Sequence, residues 1–251
     1  LKTLNIHAPS PIEGKYKWTG KYKPFEHQKT TSGFLTLNKR AFCFNEQGTG
    51  KTASAIWAAD FLMKQGRIKR ALVICPLSIM DSAWREDLFS FAMHRKVDIA
   101  HGSAKTRTAV IEDDAEFVII NYDGVAIVSD AIANGGFDLV IVDEATHYKN
   151  AQTDRWKTLN RLLGPDKWLW MMTGTPAAQS PLDAYGLAKL VNPKAVPRFF
   201  GSFRDQVMVK VTNFKWVPKP NATETVFSAL QPAIRFTKEE CLDLPDIIYT
   251  T

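Results

Sequence analysis

Cysteine is scarce in this chain. Only Cys43, Cys75 and Cys241 occur, and no Cys-x-x-Cys spacing is present. An odd, unpaired set argues against a disulfide framework and against a cysteine zinc site. Cys43 and Cys75 lie inside the apolar runs Ala-Phe-Cys-Phe and Leu-Val-Ile-Cys. They are expected as buried thiols in a reducing compartment. Long hydrophobic stretches are also missing. No run approaches the roughly 20 apolar residues that span a bilayer. The opening segment Leu1–Ser10 lacks the apolar centre of a signal peptide. The expectation is an intracellular protein without membrane contact, in the cytoplasm of a bacterium or phage-infected cell, or in a eukaryotic nucleus. Internal repeats and low-complexity tracts are absent. His7, His94 and His101 have no metal-ligand spacing and read as structural or surface residues.

What remains is an ordinary globular composition. The 251 residues are 45% hydrophobic and 23% charged, enough for one large α/β domain or two small ones. A formal net charge of +6 weakly favours a polyanionic partner. Short apolar runs recur at Ala41–Asn45, Ala71–Cys75, Phe117–Asn121, Leu139–Val142 and Trp168–Met172. Continuous runs of this length suit strands buried on both faces of a parallel sheet. Helical spacing follows at Lys51–Gln65, Ile79–Phe91, Thr106–Ala115, Asp154–Leu163 and Leu182–Val191, and again at Thr223–Leu230. Alternation of the two predicts a mostly parallel central sheet flanked by helices on both faces. Asn192 to Asn221 holds four prolines and reads as a loop-rich insertion or subdomain. Lys15 to Lys23 alternates bases with aromatics and reads as a half-buried edge strand with snorkelling lysines. Stacking on nucleic acid is the alternative. Trp84, Trp168 and Trp170 read as core.

Two motifs carry chemistry. Gln47-Gly48-Thr49-Gly50-Lys51-Thr52 follows an apolar run and opens a helical pattern. Glycines let backbone N–H groups curl toward an anion, and the helix N-terminus adds partial positive charge. In such a loop Lys51 reaches the β- and γ-phosphates of a nucleotide, and the Thr52 hydroxyl meets Mg²⁺. The first position of the eight-residue pattern, usually glycine, is Asn45. Asp143-Glu144 ends the run Leu139–Val142, at the tip where parallel sheets bind ligands. There Asp143 would hold Mg²⁺ and Glu144 would orient and deprotonate an attacking water. Thr173-Gly174-Thr175-Pro176 also follows an apolar run, but alone it reads only as a turn.

In this order, the three motifs resemble the first RecA-like lobe of superfamily-two helicases, and the flanks resemble its Swi/Snf-like branch. Tyr22 to Gln28 is similar to the adenine-recognition segment, with Gln28 as its glutamine. Cys75-Pro76-Leu77-Ser78 with Trp84-Arg85-Glu86-Asp87 resembles motif Ia, and Ile120 to Asp123 motif Ib. Asp143 to Asn150 resembles the Asp-Glu-Ala-His block ending in Lys-Asn. Thr173 to Pro176 matches motif III. Arg235-Phe236-Thr237-Lys238 with Leu244-Pro245 resembles the signature that closes the lobe.

The resemblance implies a RecA-like P-loop domain over residues 1–251. Its core runs from about 20 to 191, the insertion covers 192–221, and 222–251 ends the lobe and starts the link to a second lobe. It implies an ATP hydrolase with ATP and Mg²⁺ as cofactors. Gln28, Gln47, Gly48, Thr49, Gly50, Lys51 and Thr52 would bind nucleotide. Lys51, Asp143 and Glu144 would be catalytic, with Thr52 and Asp143 on the metal. Thr146, His147, Thr173, Gly174 and Thr175 would couple nucleotide to movement. Ser78 and Asn121 would contact nucleic acid through phosphates, in a salt-sensitive way.

The chain also departs from the family. Thr146 stands where the family has histidine, with His147 one place later. Ala177-Ala178-Gln179-Ser180 follows motif III, where the family usually has Gln-Asn nearby. A phage or mobile-element origin is the expectation. By the resemblance, arginines from the second lobe stabilise the transferring phosphate, so the chain alone is expected to bind nucleotide and hydrolyse it poorly. The leading expectation is translocation on, or remodelling of, double-stranded DNA. A strand-separating DNA or RNA helicase, a restriction-type motor subunit and a hydrolysis-silent binding module remain open.

Overall fold

The five apolar runs become the five inner strands of a seven-stranded sheet whose paired strands are all parallel. The computed structural model describes residues 10–177, 179–212 and 215–241. His7, Ala178 and the Leu244-Pro245 pair lie outside them. In chain order the strands are β1 (Arg40–Cys43), β2 (Ala71–Cys75), β3 (Val97–Ala100), β4 (Phe117–Asn121), β5 (Leu139–Val142) and β6 (Trp168–Met172). A separate antiparallel hairpin joins β7 (Met208–Lys210) to β8 (Trp216–Pro218), and β9 (Ala233–Ile234) returns to the sheet. The sheet order is β3-β4-β2-β5-β6-β1-β9.

The helices are α1 (Pro11–Lys15), α2 (Glu26–Leu37), α3 (Lys51–Lys64), α4 (Glu86–Ala92), α5 (Ala104–Glu112), α6 (Tyr122–Ile127), α7 (Ser129–Asn134), α8 (Asp154–Leu162), α9 (Ala184–Val191), α10 (Phe200–Val207), α11 (Ala222–Ala229) and α12 (Lys238–Cys241). Strand side chains alternate between two cores, one on each face of the sheet. Leu72, Ile74, Val118, Ile120, Val140 and Val142 point to one, with α5 to α9 behind them. Ala71, Val73, Phe117, Ile119, Leu139 and Ile141 point to the other, with α3 and α4. Trp84, Trp168 and Trp170 are buried there, as expected. Cys43 and Cys75 are buried free thiols. Burial pushes Cys43 up to about 11. Among the described residues, no helix is long and apolar enough to cross a membrane.

Three local readings change. The expected helix at Ile79–Phe91 is split: a π-helical turn at Met80–Arg85 precedes α4 and brings Trp84 inward. Lys15 to Lys23 is not a strand. Helix α1 ends at Lys15, and the chain then wraps irregularly over α3. Two of the three aromatics are packing groups: Trp18 meets Trp57 edge-on at 5.5 Å, and Tyr16 meets Phe61 at 5.9 Å, while Tyr22 stays exposed. The lysines between them stay exposed. Finally, 192–221 carries α10 and the β7–β8 hairpin, with the Arg204 guanidinium 4.2 Å from the Trp216 ring centroid.

Helix α3 is buried along almost its whole length, so its one internal carboxylate must be paired. Asp60, 0% exposed, accepts from the Tyr16 hydroxyl at 2.6 Å, His94 Nε2 at 2.8 Å and Arg95 Nε at 2.6 Å, and it pairs with Lys64 at 2.8 Å. Burial alone would raise its pKa. The hydrogen bonds from Lys64, Tyr16, Arg95 and His94 outweigh burial and bring it down to about 2. A carboxylate lowered on folding stabilises the fold above its unfolded pKa, and that contribution disappears as pH falls through the folded value. For Asp60 this is about 2 kcal/mol, present above about pH 4 and lost toward pH 2. Urea denaturation of Asp60→Asn and the parent across this range should show a gap that narrows as pH falls. A gap independent of pH would contradict the charge assignment.

Candidate functional site

Parallel strands deliver every following loop to one edge of the sheet, and the sequence motifs collect there. The first loop, residues 44–50, joins β1 to α3. Gly50 caps α3 with φ +76°. A β-carbon at Gly50 would collide with the Gln28 amide, so this position needs glycine for both backbone and space. Gln28 is a fastener: its Oε1 accepts from Phe25 N at 3.0 Å, and its Nε2 donates to the Thr49 carbonyl at 3.3 Å. His27 Nε2 donates to the same carbonyl at 2.8 Å. The segment before α2 is thereby tied to the loop. Asn45, in the usual glycine position, is fully buried; its Nδ2 donates to Thr31 Oγ1 at 2.9 Å and its Oδ1 accepts from Phe236 N at 3.1 Å. It cross-links α2, the loop and the C-terminal segment, which explains a side chain at this point.

Lys51 opens α3 and is 8% exposed. Among the described residues its ammonium has no hydrogen-bond or ion-pair partner. A buried cation without a counter-charge is costly. Lys51 stands at the head of a long helix, where backbone N–H groups and the helix dipole favour an anion. Thr52 is half-buried next to it.

The second motif leaves β5. Asp143 is 5% exposed, and its Oδ2 accepts from Trp84 Nε1 at 2.9 Å while Oδ1 accepts from Glu144 N at 2.9 Å. Trp84 is therefore both a core residue and the group that aims this carboxylate. Burial, and then the charge of Asp143, push the Cys75 thiol up to about 12. Glu144, half-buried, adopts a left-handed backbone, φ 47° and ψ 54°, at a sharp turn. Among the described residues it is the one non-glycine with positive φ. Tyr122 holds the turn, donating its hydroxyl to the Asp143 carbonyl at 2.6 Å. No sequence signal marked Tyr122 or Trp84 for these tasks; both contacts arise from the strand order.

Each Asp143 oxygen accepts one protein hydrogen bond and keeps acceptor capacity. The described residues contain no cluster of three or more His, Cys, Asp or Glu able to hold a metal. A carboxylate with free acceptor capacity is the kind of oxygen ligand that Mg²⁺ takes, together with water and phosphate oxygens.

Strand β6 lies between β1 and β5, so the third motif falls between the other two. Thr173 is buried, donates its N–H to the Cys43 carbonyl at 3.0 Å and accepts from Thr175 N at 3.2 Å through Oγ1. A β-carbon on Gly174 would stand 3.6 Å from Gln47 N. Thr146, His147 and Thr175 line one cavity of about 270 Å³ with Lys149 and Gln179. His147 also rests on the Tyr122 ring, centroids 4.5 Å apart, and accepts from Arg155 Nη1 at 3.5 Å through Nδ1. Burial and the Arg155 charge hold its imidazole below the ordinary value. Of the two remaining residues, Ser78 is exposed on the turn after β2. Asn121 ends β4, and its Oδ1 accepts from the buried Arg107 Nη1 at 2.9 Å.

A parallel sheet with this loop at one strand tip, the acid pair two strands over and a sensor-like loop between them defines a RecA-like P-loop domain. The Sulfolobus solfataricus SWI2/SNF2 ATPase core, solved in complex with dsDNA, has this fold: TM-score 0.75 at 21% identity, covering 88% of this chain and 46% of that one. The chain belongs to the SNF2-related domain family, whose model matches residues 33–240. It is 27% identical over 181 residues to a protein of Acyrthosiphon pisum secondary endosymbiont phage 1, across 68% of this chain and 39% of that protein. It is also 27% identical over 186 residues to SWI/SNF-related matrix-associated actin-dependent regulator of chromatin subfamily A-like protein 1 of Xenopus laevis, across 73% of this chain and 18% of that protein. The chain thus spans less than half the length of each.

The left-handed turn predicts a stability change. Glu144→Gly should raise unfolding free energy by about 1 kcal/mol, because glycine enters this region without a β-carbon penalty. Chemical denaturation measures it, and a loss of stability would mean the turn is not strained.

Proposed function

We propose that this chain is the first lobe of a DNA-dependent ATPase that couples ATP hydrolysis to translocation on, or remodelling of, double-stranded DNA. The observation that carries the reading is the buried Lys51 at the head of α3, unpartnered among the described residues and on the same sheet edge as Asp143 and Glu144. Family membership and the fold shared with a SWI2/SNF2 core solved with dsDNA support it.

In this reading residues 47–52 wrap the phosphates, with Lys51 neutralising the β- and γ-phosphates and Gln28 linking base recognition to the loop. Thr52 and Asp143 hold Mg²⁺, which supplies charge neutralisation on the phosphates. Glu144 takes a proton from the attacking water. Thr173, Gly174 and Thr175 lie between loop and acid pair, and with Thr146 and His147 they transmit the state of the nucleotide. Ser78 and Asn121 face nucleic acid, Asn121 through its Nδ2. The ATPase core runs from about 20 to 191, 192–221 is an insertion, and 222–251 leads toward a second lobe. That lobe supplies the arginines, worth a factor of about 10³–10⁵ in rate. Buried thiols and a DNA substrate suit an intracellular setting.

Nucleotide binding and turnover separate the roles. The chain should bind a fluorescent ATP analogue with Mg²⁺ and turn ATP over near background, with or without duplex DNA. Lys51→Ala should lose binding. In an enzyme completed by its second lobe, Glu144→Gln should keep binding and lose turnover. Loss of binding in Glu144→Gln would remove it from the role of base.

DNA binding should weaken steeply with salt, because phosphate contacts release counterions. Filter binding across roughly 50 to 200 mM salt measures it. Tight binding that survives the change, or preference for single strands or RNA over duplex DNA, would turn the assignment toward another nucleic-acid partner.

A further inference from the structure

The end of the described chain is stitched to the phosphate loop. Strand β9 pairs with β1, and hydrogen bonding continues beyond both strands. Phe44 N donates to the Ile234 carbonyl at 2.8 Å, and Glu46 N donates to the Phe236 carbonyl at 3.0 Å. The buried Asn45 side chain accepts from Phe236 N. The Glu46 carboxylate accepts from Lys238 N at 3.1 Å and pairs with Arg235 at 3.6 Å. The Phe236 ring sits 5.8 Å from His27, whose Nε2 holds the Thr49 carbonyl. Residues 235–238 therefore form a strap fixed to the loop at several points.

The strap also delivers a lysine to the loop's first glycine. Lys238 lies across Gly48, with its Cε 3.5 Å and its Nζ 4.0 Å from where a β-carbon on that glycine would stand. Gly48 has φ +86°, so its backbone is turned in a way that other residues rarely adopt. Among the described residues the Lys238 ammonium has no hydrogen-bond or ion-pair partner, although Arg235 beside it is paired. Two lysines with no ion-pair partner among the described residues thus reach one glycine loop: Lys51 from the helix and Lys238 from the strap.

We propose that Lys238 is a second phosphate-binding lysine of this site, brought by the C-terminal strap to the triphosphate of the bound nucleotide. The proposal rests on the reading of residues 47–52 as a phosphate loop. A triphosphate carries more negative charge than one lysine and one divalent cation neutralise, and a flexible ammonium is suited to meet the remainder. The strap's backbone bonds place the lysine before the ligand arrives, which lowers the ordering cost of the contact.

The test is equilibrium titration of a fluorescent Mg²⁺–ATP analogue, and of the matching adenosine analogue, into the full chain and variants. Lys238→Ala should weaken the triphosphate roughly three- to tenfold, between the values of an exposed and a well-placed charge pair. It should leave adenosine binding unchanged. Lys238→Arg should retain most of the affinity. Lys215→Ala, on the hairpin loop, should have no effect. Equal losses in Lys238→Ala and Lys215→Ala would reduce the effect to net charge and overturn the proposal. Equal losses for triphosphate and adenosine would do the same, by moving Lys238 off the phosphates. If Lys51→Ala abolishes binding while Lys238→Ala matches the parent, the second lysine alone is refuted. If Lys51→Ala binds like the parent, the phosphate-loop reading falls, and this proposal with it.

Discussion

Parallel pairing of β2, β5, β6 and β1 is the constraint on which the rest of the molecule depends. Parallel neighbours all point the same way, so the loops after these strands emerge together at one edge. That edge receives the Ser78 turn, the Asp143-Glu144 pair, the Thr173 loop and the glycine loop in lateral succession. Cys43 pairs with Met172, and Val142 with Met171, so the glycine and acid loops start at nearly the same height. A one-residue slip in either pairing would exchange core and opposite-face side chains and misplace both motifs.

The same frame handles charge in two opposite ways. Asp60, inside α3, is surrounded by Tyr16, Lys64, His94 and Arg95 and is fully compensated. Lys51, at the start of that helix, has no ion-pair partner among the described residues. Compensation at one end fixes the wrapping N-terminal segment to the helix; at the other, no described residue pairs with the cation, which is the feature on which the proposed phosphate site rests. Backbone strain follows the same division. The turn at Glu144 is held from outside by the Tyr122 hydroxyl, and Trp84 aims the neighbouring carboxylate.

Legibility in the sequence followed burial. The inner strands were visible because burial on both faces leaves an unbroken apolar run. The edge strands were not: Asp98 interrupts β3, and β9 is only two residues long. Helix α2 was missed because it buries polar groups. Thr31, Ser32 and Thr36 bond back to carbonyls of their own helix, at 2.7, 2.9 and 2.8 Å, and so enter the core without an apolar signature. The Lys15–Lys23 alternation was misread as a strand because aromatics that pack an irregular segment against a helix can repeat at the spacing of a pleat.

By itself the sequence determined the class of sheet, the loop that suits phosphate and the acid pair at a strand tip. Each is a contiguous pattern whose chemistry depends on near neighbours. Tertiary structure alone decided what Asn45 is for, why Trp84 faces Asp143, how Tyr122 reaches the Glu144 turn and where Lys238 comes to rest. Asn45 and Phe236 are 191 residues apart in the chain. Local pattern sets which segments become strands and helices. Contacts between distant segments depend on the order in which the strands assemble, and no spacing along the chain records that order.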